Sequence, residues 1–342
     1  MTDVQPRRTI KDVAAAAGVS IKTVSRVLNR EPNVRQDTID RVNAAAEALG
    51  FTVNLSARRL ASGRSHSLGM LVVTRSHWHR TADLVSGALT QGQTRGYGLV
   101  PYVLQSYEGR ERDVVLSLVS QKLVDGLLLT TPWSEVDGLG QDLADRGMPF
   151  VSIAGPASPG RLSVRADEEA GAYAVTRHLL DGGHRRIAVI GGQRALFGTR
   201  ERLTGYERAM RETGHDPAAQ RHVFGDYLFP TGYRAARSLL SDPTPPTAIL
   251  AFTDVLAAGA LRAAHEARVA VPDQLSIVGM GDFALAQFVW PALTTVAVPS
   301  PEMAAKAVDL LIECVEGRRP PEPTVVFPTP LIVRDSSGPA PG

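Results

Sequence analysis

The sequence is poor in the residues and segments that mark several classes of protein. It has one cysteine, Cys314, so no disulfide can form within the chain. Aromatic residues make up only 6%, and no apolar run approaches the roughly 18 residues of a membrane span. The first residues, MTDVQPRRTIKDV, include no apolar segment of a secretory signal. These absences exclude a disulfide-stabilised secreted domain and predict a cytoplasmic protein that does not enter a membrane.

The local patterns of common enzymes are also missing. No G-x-G-x-x-G follows the first predicted strand, and neither a phosphate-binding loop nor a G-x-S-x-G turn is present. His77 and His79, which flank Trp78, are too few for a metal site. The acidic cluster 167–169 is best explained by the dipole of a helix that starts there. Cys314 lies in a helical pattern as a small core residue. We therefore predict no enzyme activity, no cofactor and no metal.

Positive charge is concentrated at the start of the chain. Residues 1–64 contain eleven Lys and Arg against six Asp and Glu, a net charge of +5. Because the whole chain carries +2, the remaining residues carry −3. A basic first segment on a mildly acidic body predicts a polyanionic partner for that segment alone.

Three short helices are predicted in this basic segment. Thr9 and Asp12 form a capping box that opens the first helix, and Gly18 supplies its left-handed end. Ser20 caps the second helix, and the third runs from about Asp37 to Leu49. The short turn from Gly18 to Ser20 predicts a helix-turn-helix arrangement. The apolar side chains that we expect to face inward are Ile10, Val13, Ala14, Ala17, Val24, Val27, Leu28, Ile39, Val42, Ala46 and Leu49.

The second helix, in the segment VSIKTVSRVLN, has one apolar and one polar face. A solvated surface is the simpler interpretation of a charged helical face. The tight glycine turn, the local positive charge and small hydroxyl side chains that let the backbone approach phosphates favour DNA binding instead. We expect Arg26 to reach guanine and Ile21 to touch a thymine methyl group. The predicted DNA contacts within the three-helix region are Thr9, Ser20, Ile21, Lys22, Thr23, Ser25, Arg26, Asn29 and Arg30.

The segment TIKDVAAAAGVSIKTVSRVLN resembles the DNA-binding head of the lac-repressor-type (LacI/GalR) family of bacterial transcription factors. The following NLSARRLASG is similar to that family's hinge helix, although Val53 stands where many members have proline. The resemblance implies a head at residues 1–53 and a hinge helix and linker at 54–65, with Leu60 as a wedge in the minor groove. The hinge residues expected to contact DNA are Asn54, Arg58, Arg59 and Leu60.

Residues 66–342 alternate short apolar runs with helical patterns, which predicts parallel sheets in two doubly wound α/β lobes. The overall fold class is thus α + α/β. The predicted strands are LGMLVV, YGLVPYVL, DGLLLT, PFVSIAG, RIAVIGG, TAILAFT and LSIVGMG. The resemblance extends to this body through DEEAGAYAVTRHLLDGGHRRIAVIGG, RLTGYERAM, FTDVLAAGALRA and LSIVGMGDF.

The resemblance implies a body similar to periplasmic sugar-binding proteins, in which the chain crosses between two lobes three times. We expect these crossings near residues 155–165, 290–298 and 326–333. The first lobe then comprises about 66–160 and 296–325. The second lobe comprises about 161–292 and 326–340.

A small molecule is expected between the lobes, because doubly wound folds bind ligands beyond the carboxyl ends of their strands. Arg202 stands where the family has an effector-clamping arginine, whereas Thr253 replaces the usual Asn and Gly281 the usual Asp. A sugar or sugar derivative is expected, and another polar metabolite, anionic in view of the arginines, stays open. Asp254 is expected to cap a helix, and Trp290 is a candidate stacking surface. The predicted effector contacts are His77, Trp78, Phe197, Arg200, Arg202, Tyr227, Thr253, Gly281 and Asp282.

Together these features predict a homodimeric transcriptional repressor that binds a pseudo-palindromic operator in double-stranded DNA and responds to a small-molecule effector. The dimer is expected because one small head makes too few contacts for tight, specific binding. Two alternatives stay open. A solute-binding protein would need a signal peptide and no basic head. An oxidoreductase or sugar-modifying enzyme on this fold would need the missing nucleotide fingerprint.

Overall fold

The computed structural model describes residues 8–28, 34–51, 64–73, 78–104, 110–157, 160–318, 320 and 322–342, and for Trp78 its backbone only. The chain divides into two compact units, residues 1–65 and 66–342. Several residues predicted to contact DNA or effector lie outside the described residues, and their roles stay predictions: Asn29, Arg30, Asn54, Arg58, Arg59, Leu60 and His77.

The first unit contains the three predicted helices: α1 (Ile10–Ala17), α2 (Ile21–Leu28) and α3 (Gln36–Ala48). The Asp12 carboxylate accepts hydrogen bonds from the Thr9 backbone N–H (2.7 Å) and hydroxyl (2.9 Å). Gly18 adopts φ 63°, in the left-handed region, and ends α1. The Ser20 hydroxyl accepts from the Thr23 backbone N–H at 3.1 Å and so caps α2. The helix-turn-helix prediction is confirmed.

The core of this unit consists of small and β-branched side chains from all three helices. Fully or nearly fully buried are Val13, Ala14, Ala17, Val24, Val27 and Val42. The other predicted core residues, among them Ile10, Ile39 and Leu49, pack around this cluster and are partly buried. Because α2 turns Val24 and Val27 inward, its polar residues point away from the core.

The first lobe of the body is built on six parallel strands. Its elements are β1 (Ser67–Val72), α4 (Trp78–Thr94), β2 (Gly98–Val103), α5 (Glu111–Ser120), β3 (Gly126–Thr130), a 3₁₀ turn (Trp133–Glu135), α6 (Leu139–Asp145), β4 (Phe150–Ile153), β5 (Leu162–Ala166), α12 (Ser300–Val315) and β11 (Thr324–Phe327). The strand order is β11-β5-β4-β3-β1-β2. Helices α4 and α12 pack together and cover one face of this sheet.

The second lobe has a four-stranded parallel sheet in the order β7-β6-β8-β9. Its elements are α7 (Glu168–Asp181), β6 (Ile187–Gly191), α8 (Phe197–Glu212), a 3₁₀ turn (Pro217–Ala219), β7 (His222–Phe224), α9 (Phe229–Leu240), β8 (Ala248–Ala251), α10 (Asp254–Glu266), β9 (Ser276–Val278) and α11 (Leu285–Phe288). Two short strands, β10 (Thr295–Val296) and β12 (Leu331–Ile332), form a separate antiparallel pair. None of the helices in the described part of the chain is long and apolar enough to cross a membrane.

The boundary between the lobes differs from the sequence-based expectation. Strand β5 (Leu162–Ala166), which was expected in the second lobe, pairs with β4 and β11 in the sheet of the first lobe. Residues 326 and 327 also belong to that sheet, because β11 ends at Phe327. The first crossing therefore lies at about residue 167 rather than 155–165. The error arose because β5 carries Ser163 and Arg165, which interrupt the apolar run that marks the other central strands.

Candidate functional site

The exposed face of α2 carries side chains suited to a DNA groove. Ser20, Ile21 and Lys22 are exposed, and Ile21 keeps 46% of its surface accessible. Thr23, Ser25 and Arg26 are half-buried. Thr9, at the start of α1, is exposed. All seven of these predicted contacts belong to the helix-turn-helix unit, and their contact with DNA remains a prediction.

The body contains a cavity of about 300 Å³ between its two lobes. In the first lobe the cavity walls come from the segments after β1, β3 and β4; in the second lobe they come from those after β6, β7, β8 and β9. The cavity thus lies beyond the carboxyl ends of parallel strands in both sheets, where ligands of doubly wound folds bind. This position suits a ligand that contacts both lobes at once.

Three charged side chains meet at the cavity wall. Arg202, on α8, donates from Nε to Oε2 of Glu168 at 2.8 Å and from Nη1 to the backbone oxygen of Phe252. Glu168, at the start of α7, also accepts from Nη1 of Arg80 at 3.4 Å, from α4 of the first lobe. Arg202 and Glu168 are almost fully buried, and Arg80 and Arg202 both line the cavity. The group joins the two lobes.

Burial and mutual attraction oppose one another in this group. Burial acts to raise the pKa of Glu168, but Arg202 and Arg80 outweigh it and hold that pKa below its ordinary value. Burial lowers the pKa of Arg80, with only partial compensation from Glu168. For Arg202 the attraction of Glu168 overcomes the burial effect, so its pKa is raised. Arg202 and Glu168 therefore form a close ion pair, whereas the charge of Arg80 is compensated only in part by Glu168.

The remaining wall is mostly apolar, with a few polar groups. Tyr227 is buried, and its hydroxyl is hydrogen-bonded to that of Thr199. The rings of His79 and Phe283 stack with centroids 5.9 Å apart. The apolar residues that line the cavity are Leu84, Ile153, Ala154, Leu196, Leu228, Phe229, Pro230, Val255, Met280, Phe283 and Val298.

The two positions that depart from the family pattern have structural explanations. The Thr253 hydroxyl accepts from the Leu256 backbone N–H at 3.2 Å, so Thr253 caps α10 while also lining the cavity. Gly281 has φ 138°, and a Cβ there would lie 2.6 Å from the Phe283 ring. An aspartate at Gly281 would therefore be excluded unless that ring moved.

The expectation that Asp254 caps a helix is wrong, because Thr253 fills that role. Asp254 is instead fully buried behind the cavity wall. Its carboxylate accepts from the Phe283 backbone N–H at 2.8 Å and from the Thr295 hydroxyl at 2.5 Å. Burial raises the pKa of Asp254 to about 6, against the lowering effect of these two hydrogen bonds.

Four of the predicted effector residues line the cavity, namely Arg202, Tyr227, Thr253 and Gly281. The cavity wall does not include Phe197, Arg200 or Asp282, and their contact with an effector stays a prediction. The guanidinium carbon of Arg165 lies 5.8 Å from the centroid of the Phe197 ring. Arg200 donates a hydrogen bond to the backbone oxygen of Ala195. Asp282 forms an ion pair with Arg334 at 2.6 Å. Trp290, the candidate stacking surface, is 90% exposed and away from the cavity.

Sequence reasoning missed several wall residues. Arg80, His79, Phe229 and Phe283 line the cavity, and Glu168 links the two arginines. The signal for Arg80 and His79 was their position just after the first strand, where the strand-end rule already predicts a site. No comparable signal identified Glu168, since its partners are 34 and 88 residues away in the sequence.

A basic helix-turn-helix unit and a two-lobed body with a ligand-sized cavity define a DNA-binding regulator with a ligand-binding domain. Residues 9–54 match the bacterial regulatory proteins of the lacI family, and residues 176–337 match the periplasmic binding protein-like domain. The chain belongs to the lacI family of bacterial regulatory proteins. It is therefore a DNA-binding transcriptional repressor with a ligand-binding domain.

Named relatives and solved structures cover nearly the whole chain. The ribose operon repressor of Escherichia coli is 35% identical over 309 residues, which is 89% of this chain and 92% of the relative. The transcriptional repressor PurR of Photobacterium profundum is 32% identical over 334 residues, covering 96% of this chain and 98% of that protein. These relatives are repressors, not enzymes.

Among solved structures, the lac repressor dimer bound to operator and the anti-inducer ONPF has a TM-score of 0.80 at 26% identity, covering 97% of this chain and all of that chain. The complex of the regulator CelR with cellobiose has a TM-score of 0.74 at 29% identity, covering 96% of this chain and 100% of that one. Both the head and the body therefore have counterparts in solved regulators.

Proposed function

We propose that the chain acts in the cytoplasm as a homodimeric repressor whose affinity for a pseudo-palindromic operator is controlled by a small polar molecule in the interlobe cavity. We propose a sugar or sugar derivative as that molecule. The observation that carries the proposal is the cavity itself, which lies at the strand ends of both lobes and is lined by Arg80 from one lobe and Arg202 from the other. A ligand there would contact both lobes and so change their relative arrangement.

The assignment of a carbohydrate-like effector is supported by the composition of the cavity wall. Sugars present hydroxyl groups on their rim and C–H groups on their faces, so they bind where a few hydrogen-bonding groups stand among apolar and aromatic ones. Arg202, Tyr227 and Phe229 supply both kinds of surface. The CelR structure contains cellobiose, and one relative is named for the ribose operon, which lends further support.

The DNA contacts proposed for the head are Thr9, Ser20, Ile21, Lys22, Thr23, Ser25 and Arg26. The exposure of Ile21 supports a role in contacting bases, because a thymine methyl group is the natural partner of an apolar side chain in the major groove. The net charge of +5 on residues 1–64 supports a large contribution from phosphate contacts. Operator affinity should then fall steeply with salt concentration.

Exposed apolar side chains on both lobes support the homodimer. In the second lobe Phe288 and Trp290 are 81% and 90% exposed. In the first lobe Leu89 on α4 and Val100 and Val103 on the edge strand β2 are exposed as well. Large apolar groups at such exposure mark a surface that a partner covers, and a second copy of the chain fits a two-fold operator.

The test uses the purified full-length protein and an operator selected from random DNA. Fluorescence anisotropy would measure operator affinity with and without D-ribose, cellobiose and a panel of other sugars and sugar acids. We expect at least one ligand to change operator affinity ten-fold or more. Phe229→Ala should weaken binding of that ligand, whereas Val333→Ala, an exposed apolar change outside the cavity wall, should not. Sequence-independent DNA binding, or no response to any cavity ligand, would contradict the proposal.

A further inference from the structure

The most unusual feature of the cavity is the incomplete pairing of Arg80. Its side chain is only 16% exposed, and the ionic contact that it makes with a described residue is the 3.4 Å approach of Nη1 to Glu168. Within the described part of the chain, its Nε and Nη2 atoms are buried and have no hydrogen-bond partner. These two atoms are the donors on one edge of the guanidinium, and that edge fits a carboxylate in two-pronged fashion. Burying both donors without a hydrogen-bond partner costs free energy.

The charges around the cavity do not balance. Glu168 is the one carboxylate shared by Arg80 and Arg202, and it is held more closely by Arg202, at 2.8 Å. The group of three therefore carries one surplus positive charge. Asp254 attracts Arg202 electrostatically, but it accepts hydrogen bonds from Phe283 and Thr295 and does not line the cavity, so it leaves Arg80 uncompensated. A buried cation of this kind calls for a single negative charge from elsewhere.

The other lining groups indicate what the rest of that ligand is. The described residues that line the cavity include no Asp, Glu, Asn or Gln. The hydroxyl groups of Thr81 and Thr130 donate to the backbone oxygens of Val73 and Leu71 at 3.0 and 2.7 Å. Their oxygen atoms can consequently only accept, which suits hydroxyl groups that donate. The cavity wall is therefore complementary to a compact ligand that carries an anionic group at one end and hydroxyl groups elsewhere.

We infer that the effector is a small hydroxycarboxylate, such as a sugar acid, whose carboxylate pairs with Nε and Nη2 of Arg80. This inference rests on the proposed function and names the chemical class of its ligand. A phosphate ester would bring between one and a half and two negative charges, more than the single surplus charge of the site. A carboxylate matches that charge and accepts from both unpaired donors of Arg80.

The decisive experiment measures thermal unfolding of the full chain in acetate, a small probe of a carboxylate subsite. Acetate at about ten times its Kd should raise the melting temperature by about 2–4 °C over sodium chloride of equal ionic strength, and acetamide should not. Arg80→Gln should abolish the acetate effect. Arg95→Gln, which removes a half-exposed arginine just after the same helix, should keep it. An equal response of the parent and Arg80→Gln, or none up to 100 mM acetate, would overturn the inference.

Calorimetry then tests which ligands bind and distinguishes a carboxylate from a phosphate or a neutral sugar. D-gluconate and D-galacturonate should bind at least ten-fold more tightly than D-glucitol and D-galactose, and Arg80→Gln should remove that preference.

Tighter binding of glucose 6-phosphate than of either acid would reject the carboxylate in favour of a phosphate. Neutral sugars that release operator equally well from the parent and Arg80→Gln would reject the inference while leaving the proposed function intact. Acids that bind without affecting operator affinity would uphold the carboxylate site and contradict effector control.

A ligand-free measurement checks that Arg80 is not a purely structural partner of Glu168. If Glu168 is already compensated by Arg202, Arg80→Met should raise the melting temperature measured without ligand, because it removes a buried cation that Glu168 compensates only in part. If Arg80 is needed to compensate Glu168, the same substitution should lower it. A lower melting temperature for Arg80→Met would overturn the inference.

Discussion

Asp254 links three segments of the second lobe through one buried carboxylate. It lies in the first turn of α10, and its oxygens hold the backbone of Phe283 and the side chain of Thr295 on the crossing strand β10. Burial disfavours the charged form, so its pKa is raised to about 6. The wall of the cavity near Gly281 is therefore supported by a group whose charge changes between pH 4 and 7.

Asp254 should make the stability of the body depend on pH in a predictable direction. Because its pKa is higher in the folded chain than in the unfolded one, its contribution to folding is fully present below pH 4 and is lost as the pH rises through 6. Asp254→Asn removes this titration. Relative to the variant, the parent should lose about 2 kcal/mol of unfolding free energy between pH 4 and pH 7. Urea unfolding of both proteins across this range would measure it.

The comparison with Asp254→Asn also controls for the other titrating groups. Burial lowers the pKa of His178, His184 and His222, which makes the folded chain less stable as the pH falls. These histidines are present in both proteins, so their effect cancels in the difference. A difference in unfolding free energy that stays constant from pH 4 to 7 would mean that Asp254 does not titrate in this range.

Arg26 is the residue of α2 whose substitution should change sequence preference most clearly. A guanidinium can donate two hydrogen bonds to guanine in the major groove, which provides roughly 1–3 kcal/mol of discrimination. Arg26→Ala should therefore relax preference at one position in each half-site. Arg41→Ala, which removes an exposed arginine from α3, should leave the preference unchanged. Selection from random DNA measures both. An identical binding-site profile for Arg26→Ala and the parent would refute base readout by Arg26.

At the scale of elements, a polar contact joins the lobes near the start of α8. The Glu135 carboxylate, in the 3₁₀ turn of the first lobe, accepts from the Phe197 backbone N–H at 2.7 Å. Arg165 on β5 approaches Glu201 on α8 at 3.4 Å. Burial raises the pKa of Glu135, although Phe197 and Arg200 act to lower it. The carboxylate thus meets the positive end of a helix that also carries Arg202.

Removal of the Glu135 carboxylate should loosen this contact. Glu135→Ala leaves the Phe197 N–H without its partner, so we expect the unfolding free energy of the body to fall by about 1–3 kcal/mol. Glu201→Ala removes a longer, more exposed ion pair and should cost less than about 1 kcal/mol. Chemical unfolding of the two variants provides the comparison. Equal losses for both variants would show that the Glu135 contact adds nothing beyond a surface charge.

The elements that could be predicted from sequence are those with a strong apolar pattern. The seven predicted strands correspond to β1, β2, β3, β4, β6, β8 and β9. Strands β5, β7, β10, β11 and β12 were not predicted, because each is short, carries polar residues or is partly exposed, so none shows a long apolar run. The place of β11 in its sheet is set by pairing with β5, about 160 residues earlier in the chain.

Prediction from sequence was also limited for the individual residues that line the cavity. The rule that ligands bind beyond the carboxyl ends of strands identified the right segments, but it did not show which face of α8 lines the cavity. Gly198 and Arg202 line the cavity and are four residues apart, hence on one helical face. Arg200 lies midway between them and so points elsewhere. The pairing of Arg80 with Glu168 spans 88 residues, a separation at which sequence spacing carries no information.

At the scale of the whole molecule, two exposed apolar regions need a partner. In a monomer, Phe288 and Trp290 would each leave a large ring in water. Leaving a large apolar side chain exposed costs about 1.5–3 kcal/mol relative to burying it. The exposed side of β2 lies on the other lobe. A two-fold dimer that covers both regions would present two heads to the two halves of an operator.

Substitution of these rings should separate dimerisation from DNA recognition. Phe288→Ser with Trp290→Ser removes the apolar surface without touching the buried core, so the fold should persist while the dimer weakens at least ten-fold. Operator affinity should fall at least a hundred-fold at low protein concentration, because two linked heads bind far more tightly than one. Phe229→Ser, at the cavity, serves as the control and should leave both quantities unchanged. Sedimentation equilibrium and operator titration would measure them, and an unchanged dimer in the double variant would place the interface on another surface of the body.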